Sequence, residues 1–255
     1  MTYAQTMNQL AELKLNTMLK TYQQMEKDPT WTNMTFDDQF AHIVNQEYET
    51  RINNRIYRAI KEAKFKEQAE LHDIIYNQDR NLNRDLIQRF ATHRWIKNHE
   101  NIIITGATGT GKSYLAQALG VHACRHGYKA QYYRLPDLLN ELQFSKQNDS
   151  YLRIRNKLQR RDILVLDDWG LATLDLLSGH EIAEIIEDRL GKTSTIVVSQ
   201  FPVQTWDTIF QDKTTADAVM DRLIHVAYLI ELKGPSLRKN AASKELLDYK
   251  ESMLK

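Results

Sequence analysis

Cysteine is nearly absent from this sequence: Cys124 is the one thiol among 255 residues. An intramolecular disulfide is thereby excluded, and the composition fits a reducing compartment, the cytoplasm. Net charge is small as well. Lys and Arg number 34 against 33 Asp and Glu, so contact with nucleic acid has to come from local clusters rather than from an overall field. No apolar run approaches the ~18 residues that would suggest a membrane span. The stretch from Met1 to Leu13, broken by Gln, Asn and Glu, does not read as a signal peptide. Repeats and low-complexity tracts are also lacking. A globular protein remains, 42% hydrophobic and 26% charged, long enough for one large domain or a medium one with an appendage.

Glycine is missing from residues 1–66, and Pro29 is the single proline there. Met7, Leu10, Leu15, Met18, Tyr22 and Met25 recur at helical spacing until Asp28 and Pro29 interrupt them. Thr35 and Asp38 form a capping-box-like start, with Asp in place of the usual Glu. Phe36, Phe40, Ile43, Tyr48, Ile52, Ile56, Ile60 and Ala63 then draw a long apolar stripe. The spacing predicts a small all-α N-terminal domain over 1–66, its aromatic and methionine residues serving as core. Residues 67–100 are expected to connect, with a helix from about Leu82 to Ile96.

Beyond Asn101 the pattern becomes α/β. Ile102–Ile104, Ala130–Tyr133, Ile163–Leu166, Thr195–Val198 and Val226–Ile230 read as five strands separated mostly by helical segments. Such alternation predicts a five-stranded, mainly parallel sheet between helices, over 101–245, followed by a tail at 246–255.

Gly106-Ala107-Thr108-Gly109-Thr110-Gly111-Lys112-Ser113 satisfies every fixed position of the G-x-x-x-x-G-K-[ST] phosphate loop, between a predicted strand and a predicted helix from Tyr114 to Cys124. Glycines let backbone N–H groups approach phosphate closely, and the helix N-terminus adds partial positive charge. Lys112 would reach the outer phosphates, Ser113 would hold Mg²⁺, and Tyr114 in the first turn would border ATP. A structural glycine turn would leave Lys112-Ser113 unexplained. The apolar strand Ile163–Leu166 ends in Asp167 and Asp168. A strand ending in two aspartates often merely begins a turn, but one α/β step after a phosphate loop it supplies a Mg²⁺ partner, Asp167, and a candidate general base, Asp168. Aspartate is one methylene shorter than the glutamate many related ATPases carry, which predicts slow turnover.

These residues give the sequence a recognisable character. It resembles the IstB-like ATPases, transposition helpers of the AAA+ class related to the DnaC helicase loader. The resemblance runs through Leu71–Tyr76 with Arg80-Asn81-Leu82, Gly106–Ala118, Leu164–Leu171, Glu184–Arg189, Ser194–Val203 with Trp206, Met220–Leu223 and Glu231–Lys239. Pro235 departs from the family pattern, where an acidic residue is more usual. The resemblance implies an AAA+ P-loop NTPase fold that binds ATP and Mg²⁺. It further implies Gln200 as a polar sensor of the γ-phosphate, Arg222 as an arginine finger acting on a neighbouring subunit, and Arg238 as a sensor arginine acting in its own subunit. Partners implied are double-stranded DNA, a homo-oligomer and the transposase of the same element. The helicase loader is the alternative within the class, and a small-molecule P-loop kinase or a nucleotide-gated interaction module are alternatives outside it.

Two basic clusters are candidate DNA contacts: Arg51, Arg55 and Arg58 on one helix face, and Arg153, Arg155, Lys157, Arg160 and Arg161 between the second and third strands. Each reads equally well as a solvated helix face. Nothing in either suggests base readout, so backbone and shape contacts are expected. His122 and His126 stand four apart on the predicted phosphate-loop helix. With no third ligand near in sequence, the pair does not make a metal site.

Overall fold

The computed structural model describes residues 2–76 and 78–237. Arg238 and the tail at 246–255 lie outside the described residues. The chain divides into two compact units, Met1–Arg58 and Ala59–Lys255.

The first unit is helical. Helices α1 (Tyr3–Glu12) and α2 (Asn16–Met25) replace the single helix that the spacing of Met7 to Met25 predicts. Lys14, at φ 56°, breaks the run. The break is stabilised from a distance, by the helix that follows, α3 (Phe36–Ala63). Its Glu47 accepts from the backbone N–H groups of Thr17 and Met18 at 2.9 and 3.0 Å, a cap no local residue supplies. Arg51 in turn binds Glu47 at 2.7 Å and the Lys14 carbonyl at 2.9 Å. Thr35 caps α3, its hydroxyl accepting from Asp38 N–H at 3.2 Å and donating to the Asp38 carboxylate at 2.6 Å. The apolar stripe along α3 is only partly core. Ile43 and Ala63 are buried, whereas Phe36, at 77% exposed, stacks on the exposed Phe40, and Tyr48 is exposed too.

The second unit is a three-layer α/β structure. Its strands are β1 (Asn101–Gly106), β2 (Ala130–Arg134), β3 (Ile163–Trp169), β4 (Ser194–Ser199) and β5 (Ala227–Leu232), in the order β2-β3-β4-β1-β5. Every pairing is parallel, and the central strands β1, β3 and β4 are buried almost throughout because helices cover both faces, whereas the edge strand β5 leaves Leu229 and Glu231 exposed. One layer packs α4 (Arg84–Ala91), α5 (Arg94–Lys97) and α6 (Lys112–Arg125) on Ile102, Ile104, Val165 and Val198. The other packs α7 (Leu135–Gln147), α8 (Tyr151–Gln159), α9 (Leu176–Arg189) and α10 (Lys213–Ile224) on Ile103, Leu164, Leu166 and Val197. Cys124 lies in the first layer, its thiol pushed up to about 11 by burial.

Two features tie the second unit together beyond its apolar cores. Arg189, only 2% exposed, is held by neutral acceptors: its guanidinium donates to the carbonyls of Leu158, Arg161 and Ser194 and to the Thr195 hydroxyl. It joins α9 to the end of α8 and the start of β4. The second feature corrects the predicted Leu82–Ile96 helix, which is split into α4 and α5. Asn83 caps α4, and His93 turns the chain at φ 60° before α5. His93 packs there against His122 and His126 of the α6 end, at ring-centroid distances of 5.0 and 4.5 Å. Burial, with the two neighbouring imidazoles and Lys97, pushes His93 down to about 4.

Candidate functional site

In a parallel sheet all strand C-termini lie along one edge, and this edge gathers the chemistry. β1 opens there into the phosphate loop. Gly109 and Gly111 take φ 84° and 88°, values an L side chain strains to adopt. A Cβ at Gly109 would stand 2.1 Å from Ser236 Oγ, and one at Gly111 would stand 2.9 Å from the Arg80 guanidinium. The loop is therefore a cradle with no room for side chains. Helix α6 starts at Lys112 with no side-chain cap, so its first N–H groups point at the cradle. The 7%-exposed Lys112 folds back over the loop, its ammonium donating to the Ala107 carbonyl at 2.8 Å. A cleft of about 280 Å³ opens beside it, lined by Glu67, Gly109, Gly111, Lys112, Ser113, Tyr114 and Leu237.

Register places the second half of the site. Leu166 of β3 pairs with Val197 of β4, which pairs with Ile103 of β1. Asp167, one residue on, is thus level with Ile104, two residues before the end of β1 and two strand spacings or about 10 Å across the sheet. Asp167 is buried, accepting from the Tyr132 hydroxyl and from Asp168 N–H, both at 2.8 Å. Burial and the Asp167 charge raise Tyr132 far above the usual phenol range, so it stays a proton donor to that carboxylate. Between Leu166 and Trp169 the strand bulges, and Asp168 occupies the left-handed region at φ 59°. Such a bulge re-aims a side chain; that of Asp168 is held by Arg134 Nε at 2.5 Å. Next along the edge, Gln200 follows β4 and accepts from the Thr108 hydroxyl at 2.7 Å.

The site residues expected from the sequence fall into three groups. Gly106–Tyr114, Asp167, Asp168 and Gln200 share the C-terminal edge. Arg222 does not. It lies on α10 near the opposite edge: Asn101, first residue of β1, donates to the Leu223 carbonyl at 3.1 Å, and the strand separates that point from Gly106 by about 16 Å. Arg222 pairs there with Glu187. Arg238 lies outside the described residues.

Sequence reasoning missed Arg134 and Arg80. Arg134 ends β2 one residue beyond the predicted strand and is in register with Asp167; only strand order brings it to Asp168. Arg80 is buried under the loop, donating to the carbonyls of Thr110 at 2.7 Å and Ile75 at 2.5 Å. The connecting segment is moreover part of the site's wall. Gln117 of α6 accepts from Lys66 and Glu67 N–H at 2.6 and 3.1 Å, and the Tyr114 hydroxyl accepts from Glu70 N–H at 3.2 Å.

Of the second basic cluster, Arg153, Lys157, Arg160 and Arg161 line one open groove of about 860 Å³ together with Lys129, Asn156, Leu152, Glu62 and Asp149. Arg155 faces elsewhere, paired with Glu184 and Asp188 of α9 at 2.6 Å each. In the first unit Arg51 is engaged with Glu47 and Lys14, while Arg55 and Arg58 are exposed.

The IstB-like ATP binding protein family model matches residues 8–245. The chain belongs to this family. A putative insertion sequence ATP-binding protein, y4pL, of Sinorhizobium fredii is 35% identical over 239 residues, spanning 94% of this chain and 98% of that protein. Among solved structures, DnaI superposes with a TM-score of 0.57 at 24% identity, covering 65% of this chain and 92% of that one. The DnaC helicase loader gives 0.55 at 20% identity, covering 65% and 97%. These likenesses show an AAA+ fold for the IstB-like chain. Its donor set also fits Mg²⁺: the Ser113 hydroxyl and the buried Asp167 carboxylate offer oxygen alone, the ligand a hard cation prefers.

Proposed function

We propose that this IstB-like protein binds ATP with Mg²⁺ and hydrolyses it slowly, as the DNA-dependent helper of an insertion-sequence transposase. The Thr108–Gln200 hydrogen bond, 2.7 Å across two strands, carries the reading. It supports one site in which the phosphate loop and the end of β4 address the same phosphate. Lys112 and the α6 N-terminus hold the outer phosphates, Ser113 and Asp167 hold the cation, and Asp168 takes the proton from the attacking water. The bound cation would neutralise charge on the β- and γ-phosphates. Arg222, too far from its own cradle, acts on that of a neighbouring subunit, so hydrolysis requires assembly. Assembly occurs on duplex DNA, whose phosphates meet the α8 groove and, from the first unit, Arg55 and Arg58.

Nucleotide titration and phosphate release, each with and without Mg²⁺ and duplex DNA, test the reading. Wild type should bind ATP only with the cation and turn over faster on DNA, and Lys112→Ala should lose binding. Equal affinity in Lys112→Ala would sink it.

A further inference from the structure

Helix α6 carries the phosphate loop at one end and a group of imidazoles at the other, about 14 Å away along the axis from Ser113 to His122. His122 and His126 are one turn apart, as their spacing requires, with ring centroids 4.4 Å apart. The third member is supplied by the fold. His93, 29 residues before His122, reaches the pair because the chain turns at φ 60° between α4 and α5. One ligand nitrogen from each of the three lies within 4.8 Å of the others.

We propose that His93, His122 and His126 bind a single divalent transition-metal ion of the zinc class. Hydrogen bonding prepares the donors. His126 Nδ1 lies 2.8 Å from the His122 carbonyl; a carbonyl only accepts, so Nδ1 carries the proton and Nε2 keeps its lone pair for a metal. This is the backbone-oriented arrangement common to metal-bound histidines. His93 Nε2 is buried with no hydrogen-bond partner among the described residues, in a residue only 8% exposed. Burying an imidazole nitrogen unpaired is costly, and a metal ion satisfies it. Tetrahedral coordination at about 2.05 Å sets the nitrogens about 3.4 Å apart, and one ring nitrogen of each His already lies within 4.8 Å of the others, a spacing that side-chain rotation can tighten. Three neutral nitrogens select zinc, copper, nickel or cobalt over Mg²⁺ and Ca²⁺, which prefer oxygen. His126 is exposed, leaving the fourth position to water. The ion would fasten the α4–α5 turn to the end of α6, independently of the nucleotide.

The test uses untagged full-length protein, stripped with a chelator and kept in excess Mg²⁺ so that any oxygen-ligand site is filled. Co²⁺ is titrated while visible absorption is followed, then displaced with Zn²⁺. One equivalent should bind, with the intense ligand-field bands of a four-coordinate nitrogen site, and Zn²⁺ should raise the Tm by several degrees. His126→Ala and His93→Asn should each lower affinity at least tenfold and abolish the Tm shift, while Ser113→Ala keeps both. Asn tolerates the left-handed backbone, so His93→Asn separates ligand loss from strain. Should that variant misfold, the exposed His126→Ala decides alone. No uptake by wild type at tens of micromolar, or equal uptake by His126→Ala, overturns the proposal.

Discussion

Arg134 Nε donates to Asp168 Oδ2 at 2.5 Å, tying the end of β2 to the residue that the bulge in β3 turns out of register. The bond raises Arg134 further above its ordinary range and occupies one carboxylate oxygen of the candidate base. Replacing Arg134 with Ala frees that oxygen, so phosphate release without DNA should rise several-fold and stimulation by DNA should shrink. Asp168→Asn should keep ATP affinity and slow turnover by about 10²- to 10⁴-fold. Steady-state phosphate release checks both; an Arg134→Ala rate equal to wild type would reduce the contact to a strand-end tie.

Arg222 sits at the far edge of the sheet from the phosphate loop of its own chain. Its replacement by Ala should therefore spare ATP binding and cut turnover of the assembled protein by about 10³-fold or more. Lys112→Ala should be equally inactive for a different reason. Mixing the two inactive variants should restore part of the activity, because a Lys112 site then meets an Arg222 from its neighbour. Mixtures that stay inactive argue against action between subunits.

Arg153, Lys157 and Arg160 are spaced by four and three residues along α8 and line the open groove. Changing all three to Ala should weaken duplex binding similarly for every sequence. The slope of log affinity against log salt should become shallower by about 0.9 for each DNA phosphate that the groove no longer neutralises. Arg155→Ala, which breaks pairs to Glu184 and Asp188, should leave that slope unchanged and lower stability by up to about 1 kcal/mol. Fluorescence anisotropy over a salt series separates the two outcomes.

Arg189→Lys should destabilise the second unit by about 2–4 kcal/mol. A lysine cannot fork to the carbonyls of Leu158, Arg161 and Ser194 at once, and each one left unpaired in the core carries a desolvation cost. Urea unfolding followed by circular dichroism measures the change. A midpoint equal to wild type would show those carbonyls satisfied without the guanidinium.

Local pattern carried the parts of this protein whose interactions are local. The five expected runs became five strands, most plainly β1, β3 and β4, whose burial on both faces favours unbroken apolar sequence. The phosphate loop was legible because its glycines, lysine and serine act within a few residues of one another. Helix breaks were not legible. Lys14 and His93 end helices within continuous helical patterns, and Glu47 stabilises the first break from 30 residues away. The stripe on α3 misled because periodicity marks a face, not whether a layer covers it, and among the described residues Phe36 and Phe40 stay exposed.

By itself, then, the sequence determined the five strands of the second unit, the phosphate-loop motif and the two aspartates near the end of β3. Tertiary structure alone decided that Arg134 meets Asp168, that Arg80 underpins the loop, that Arg155 faces α9, and that His93 completes a cluster with His122 and His126. Hydrogen-bonded segments and short motifs are written in neighbouring residues. Contacts between residues tens of positions apart depend on strand order and on single turns of the backbone, which no local pattern encodes.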